Sequence, residues 1–90
     1  MTIICKKFEI FGKVQGVWFR SAAKKEAEKL NITGWVKNNS NCNVEVLACG
    51  NEENLKQFEK WLWKGPLLAR VKSVTSKDII FEIHQNFIIS

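Results

Sequence analysis

The stretch "GWVKNNSNCNVEVLACG", Gly34 to Gly50, decides the fold. Gly34–Asn38 and Asn43–Gly50 have strand composition, and the "NSNC" between them is a polar turn. The two strands therefore meet as a hairpin, with no helix between them. A helical pattern flanks each arm. Upstream, Ala23, Ala27 and Leu30 fall at i, i+4, i+7 within Arg20 to Leu30, with lysines and glutamates on the other face. Asn31 stands where a left-handed residue would end that helix. Downstream, Asn51 reads as an N-cap, and Glu52 and Glu53 suit the positive end of a helix dipole. Leu55, Phe58 and Leu62 form an apolar stripe, and "KGP" at 64–66 stops the helix.

Farther out, residues 3–11 ("IICKKFEIF") and 69–76 read as strands. Gly12 to Phe19 is a loop. Two short apolar pieces, Ile79–Ile83 and Phe87–Ile89, form a tail. The order βαββαβ predicts a ferredoxin-like α+β sandwich, an antiparallel sheet with two helices on one face. Residues 1–90 make a single domain. That layout hosts many activities, so function has to come from a site.

The bulk properties narrow the choices. Lysine and arginine number 14 against 9 acidic residues, a net charge of +5. This balance suits anionic partners, but on charge alone a solvated basic surface is the favoured reading. No apolar run is long enough to span a bilayer, so no membrane association is expected. The start, "MTIICKKFEIFG", has its apolar and basic parts in the wrong order for a secretory signal, and a cytoplasmic location is expected. Cys5, Cys42, Cys49 and the lone His84 match no zinc spacing, so no metal is expected. The βαββαβ order is shared with RNA-binding domains, but "NVEVLACG" carries no aromatic on which a base could stack. Nucleic acid is thus not the expected partner.

The loop "GKVQGVWFR", Gly12 to Arg20, carries the chemistry. It runs from a strand into a helix N-terminus, where backbone N–H groups lack intrahelical partners and the dipole is positive. Such N–H groups, brought close by glycine, bind phosphate-like anions. Arg20 at the helix mouth has a planar fork suited to two oxygens. The same residues also fit a plain turn followed by a solvent-facing arginine. Asn38, beside Asn39, Asn41 and Asn43, reads from the residues alone as a turn residue before a functional one.

"GKVQGVWFR" resembles the signature of the acylphosphatase family. "GWVKN" with Val44 and Gly50, and "KGPLLARV" at 64–71, are similar to further family segments in the same order. The resemblance implies metal- and cofactor-free hydrolysis of acyl phosphates to carboxylate and inorganic phosphate. A monomer is expected. It makes Arg20 the phosphate-binding arginine and Asn38 the residue that orients the attacking water. Backbone amides of Val14, Gln15, Gly16, Val17, Trp18 and Phe19 would cradle the phosphoryl oxygens. Inorganic phosphate, as product, would be a competitive ligand. The alternative is a non-catalytic phosphate- or nucleic-acid-binding module on the same fold. One departure is Cys42, where the family has a turn glycine; the neighbouring asparagines are expected to carry any left-handed residue instead.

Several residues are weighed beside these. Trp18 lies within the loop and either borders the pocket or packs; Trp35, Trp61 and Trp63 are read as packing or partly exposed surface. Lys13 and Lys37 flank the site in sequence and either concentrate anions or sit on solvated surface. In a ferredoxin-like sheet the first and third strands are adjacent and antiparallel, which brings Cys5 and Cys49 together. Parity puts both on the face away from the helices, where they are capable of a disulfide. Reducing cytosol would favour two free thiols.

Overall fold

Alternation along two strands sets the sheet. In β1 (Ile3–Lys13) Phe8 and Ile10 are buried, and in β3 (Val44–Asn51) Val44, Val46 and Ala48 are buried on the same face. The computed structural model describes residues 2–90 and pairs β1 antiparallel to β3, with Phe8 opposite Val46 and Ile10 opposite Val44. β2 (Thr33–Asn38) pairs antiparallel with β3, and β4 (Arg70–Ile79) with β1. α1 (Phe19–Lys29) and α2 (Glu52–Lys64) cover one face. Ala23 and Ala27 of α1, and Leu55, Phe58 and Leu62 of α2, join the strand residues in one core. Phe58 meets Phe8 edge-on at 6.4 Å between ring centroids. Among the described residues, no helix is long and apolar enough to cross a membrane.

The helix boundaries follow local chemistry. Asn51 caps α2 by accepting from the Asn54 N–H at 2.7 Å, with Glu52 and Glu53 in the first turn. Gly65 ends it with φ 66°. Asn31 (φ 56°) follows α1 in the left-handed conformation expected of it. Gly34 has φ 138°, and a Cβ there would lie 1.8 Å from the Leu47 carbonyl oxygen, so β2 reaches β3 only with glycine at this point.

The structure corrects several sequence expectations. β1 runs on through Gly12 and Lys13, past a register shift between Phe11 and Gly12, so the loop is shorter than Gly12 to Phe19. β4 extends to Ile79 rather than ending at 76. In the tail, residues 80–86 form no strand, but β5 (Phe87–Ile89) adds to the edge of β2 in parallel. The sheet is therefore mixed, with order β4-β1-β3-β2-β5. Phe87 is buried against Phe58, and the Lys24 ammonium of α1 donates to the Phe87 carbonyl at 3.0 Å.

To join opposite edges, residues 80–86 must cross the end of the sheet. They pass close to the paired Cys5 and Cys49, which are register partners joined by a disulfide with Cα atoms 4.1 Å apart. The Glu82 carbonyl oxygen lies 3.6 Å from Cys5 Sγ. Both cysteines are buried although parity aims them away from the helices.

The hairpin turn departs from expectation. The Cys42 N–H donates to the Asn39 carbonyl at 3.3 Å, and the Asn39 N–H to the Asn43 carbonyl at 2.9 Å. This is a turn followed by a single left-handed residue, a position that favours glycine. Cys42 itself holds it, with φ 68°, and none of the neighbouring asparagines does. Left-handed backbone costs a non-glycine residue roughly 1 kcal/mol. Cys42→Gly is expected to stabilise the fold by somewhat less than that, because glycine loses more chain entropy on folding. Urea unfolding should show a higher midpoint at unchanged slope.

Candidate active site

The two helix N-termini differ in their chemistry. α2 is capped by Asn51 and begins with two glutamates. α1 has no side-chain cap and no acidic residue in its first turn. Its second residue is Arg20, a cation at the positive end of the dipole, where a cation is unfavourable. The unpaired N–H groups and the guanidinium together leave positive potential that no group within the helix offsets.

The loop that feeds this helix is shaped from both sides. Val14, Val17 and Phe19 are buried and anchor it in the core. Between them Gly16 (φ 73°) and Trp18 (φ 66°) are both left-handed. At Gly16 a Cβ would meet nothing, so the glycine answers a need for positive φ rather than for space. The Phe19 ring packs on Trp61 at 5.6 Å, fixing the first turn of α1 against α2.

Asn38 ends β2 opposite Val44. It shares one cavity of about 300 Å³ with Gly16, Trp18, Arg20 and Ile89. Among the described residues its carboxamide is committed to no protein partner. Arg20 also lines this cavity and makes one long contact, from Nη1 to the Ser90 main-chain oxygen at 3.4 Å. Ser90 is held in turn by its N–H, which donates to the Val36 carbonyl at 2.8 Å. The sequence-predicted Arg20 and Asn38 thus face one space, together with Val14, Gly16, Trp18 and Phe19 of the loop.

Sequence reading missed the fastening between loop and hairpin. The Gln15 Nε2 donates to the Asn39 carbonyl at 3.0 Å and to the Asn43 carbonyl at 2.9 Å, on either side of the turn. Asn39 is the centre of the hairpin. Its Oδ1 accepts from the Asn41 and Asn43 N–H groups, and its Nδ2 donates to Glu9 and Glu45 at 3.1 Å each. The only advance signal was that asparagines bond their own turns. Lys37 does not flank the cavity. Its ammonium stands 4.9 Å from the Trp35 ring centroid and 3.9 Å from Glu45. Strand parity sends it to the face opposite Asn38. His84 lies away from this cavity, its Nε2 3.0 Å from Glu82 Oε1.

The chain resembles known proteins in both sequence and fold. The acylphosphatase family model matches residues 6–89. A relative from Legionella pneumophila (strain Corby), named acylphosphatase, is 49% identical over 84 residues, covering 93% of this chain and 92% of the relative. A solved acylphosphatase structure from Coxiella burnetii superposes with TM-score 0.95 at 41% identity, covering 98% of this chain and 93% of that one. One from Bacillus subtilis gives TM-score 0.94 at 32% identity, with 99% of each chain covered. On the match of its sequence and its fold, the chain belongs to the acylphosphatase family.

Proposed function

We propose that this chain hydrolyses acyl phosphates, with Arg20 and the loop amides holding the phosphoryl group and Asn38 orienting the attacking water. The observation that carries the assignment of roles is that Arg20, at the open N-terminus of α1, and Asn38, at the end of β2, line the same cavity.

The chemistry asks little of side chains. Water attacks phosphorus, the new P–O bond forms, and the bond to the acyl oxygen breaks. The carboxylate leaves with the electron pair. Because a carboxylate is a good leaving group, no general acid is required. Negative charge on the equatorial oxygens has to be met by fixed donors, and the water has to be in line. The uncapped amides of α1 and the fork of Arg20 suit the first task. The uncommitted carboxamide of Asn38 suits the second: it orients water but cannot take its proton, which passes to a phosphoryl oxygen of the substrate. Gln15 acts as a positioning residue, holding the Asn38 hairpin against the loop through its two hydrogen bonds.

Phosphate release from acetyl phosphate tests the reading. Turnover is expected; phosphate binding without turnover would instead support a non-catalytic module. Arg20→Lys should lose roughly 10²-fold or more in kcat/KM, since a lysine keeps the charge but not the fork. Near-normal turnover would remove Arg20 from its role.

Asn38→Ala is expected to lower kcat by about 10²-fold, the scale of a misplaced reactant. Inhibition by inorganic phosphate should persist, because the residue is assigned to water. Loss of phosphate affinity in parallel would reassign it to the anion site.

Gln15→Met keeps the side-chain length and removes the donor. It should destabilise the protein by about 1–3 kcal/mol, the net worth of two hydrogen bonds, since both carbonyls keep a backbone donor, the Cys42 and Asn39 N–H groups. It should also reduce kcat roughly tenfold with little change in the phosphate inhibition constant, as expected when Asn38 drifts from its position. An equal loss of phosphate affinity would mean that Gln15 shapes the anion site itself.

A further inference from the structure

Trp18 is costly to place where it is. It holds a left-handed backbone (φ 66°, ψ 23°) at the N-cap of α1, a conformation that bulky residues avoid. Its side chain is 77% exposed. None of the ring pairs in the core includes it, whereas its neighbour Phe19 is buried against Trp61. Neither packing nor backbone preference accounts for a tryptophan here.

What Trp18 does touch is the cavity. At about 300 Å³ that cavity is the size of a small-molecule pocket and exceeds the needs of a phosphoryl group alone. Its groups fall into two kinds. Arg20 and Asn38, with the Gly16 backbone, supply polar contacts for the phosphoryl end. Trp18 and the half-exposed Ile89, which comes from the parallel edge strand β5, supply apolar surface. Among the described residues Arg20 is the only charged one in the lining, and its fork is committed to the phosphoryl oxygens in the reading above. An acyl group carrying its own carboxylate would find no second cation.

We propose that Trp18, with Ile89, forms an acyl-group subsite that selects acyl phosphates whose acyl part is apolar and planar, as in an aroyl phosphate, over short or carboxylate-bearing ones. The inference rests on the proposed hydrolysis of acyl phosphates. An aromatic ring offers a flat acyl group a large stacking area at little entropic cost, and its exposure leaves one face open to the ligand.

The test compares kcat/KM for benzoyl, acetyl and succinyl phosphates in the wild type, Trp18→Gly and Trp18→Phe. Glycine accepts the left-handed backbone, and phenylalanine restores a ring if glycine loosens the loop. Each substrate's intrinsic reactivity cancels when one substrate ratio is compared between variants. The wild type is expected to prefer benzoyl over acetyl phosphate, with succinyl phosphate poorest. Trp18→Gly should cut the benzoyl-to-acetyl ratio roughly tenfold, mainly through KM for benzoyl phosphate, and Trp18→Phe should retain most of it. An unchanged ratio in Trp18→Gly, or equal losses on both substrates, would overturn the subsite and leave Trp18 as a loop-shaping residue. Failure of the wild type to hydrolyse any of the three would instead overturn the reading on which the subsite rests.

Discussion

The register between β1 and β3 is the constraint on which the rest depends. It aligns Phe8 with Val46 and Ile10 with Val44, so that four apolar side chains face the helices at once. A slip of one residue would turn the slipped strand's pair outward while its partner's pair stayed inward. The same register brings Glu9 opposite Glu45, a like-charge pair that would ordinarily destabilise the sheet. Here the pair is bridged. Asn39 donates to both carboxylates, Asn43 donates to Glu9, and Lys7 and Lys37 stand 3.8 and 3.9 Å from Glu45. Two carboxylates in the sheet thus become the anchor for the hairpin that presents Asn38. Because β1 ends beside that hairpin, the loop leaving β1 meets the turn, and Gln15 can clasp it.

Much of this was legible in the sequence, for identifiable reasons. Both helices were readable because their apolar stripes and stop signals are local. The hairpin was readable because two strand-like runs flank a polar turn. Arg20 and Asn38 could be named only through the family resemblance; the residues alone left a solvent-facing arginine equally open and favoured a turn role for the asparagine. The parallel strand β5 was hidden because three residues carry no period, and their place is decided by the edge of β2 and by the burial of Phe87 on Phe58. Gln15 was expected to contribute its backbone amide. That its side chain crosses to the hairpin is a contact between residues 24 and 28 positions apart, which no local pattern encodes. Lys37 was avoidable: the parity argument that paired Cys5 with Cys49 also puts Lys37 on the face opposite Asn38.

The two helices put the same backbone physics to opposite uses. α2 meets its own needs with Asn51 and two glutamates, and its start can be solvent-facing without cost. α1 begins with neither cap nor acid and adds an arginine, which makes its first turn electrostatically frustrated in isolation. An arriving phosphoryl group relieves both features together, satisfying N–H groups and offsetting the dipole and the guanidinium. The protein's overall charge of +5 acts in the same direction at longer range and draws anions toward the surface. Binding at the site itself is left to groups that the fold has already ordered.

Backbone strain follows the same division between stability and use. Among the described residues, three non-glycine positions have positive φ: Asn31, Trp18 and Cys42. Asn31 ends a helix, where an asparagine tolerates that conformation and the strain is slight. The other two lie where the site is built, Trp18 in the loop and Cys42 in the hairpin. Each is a position at which glycine would be the easier residue, and each is held by stronger structure on both sides. Val17 and Phe19 are buried around Trp18, while the Asn39 hydrogen bonds and the β2–β3 pairing enclose Cys42. A glycine at either point would lower the strain but widen the range of shapes open to the segment. For a reaction that relies on fixed donors and a fixed water rather than on acid–base side chains, that loss of order at the hairpin would fall on the placement of Asn38, whereas at Trp18 glycine would chiefly remove the ring and its contact with the acyl group. The strain at these two residues is consistent with a site whose catalysis comes from holding still.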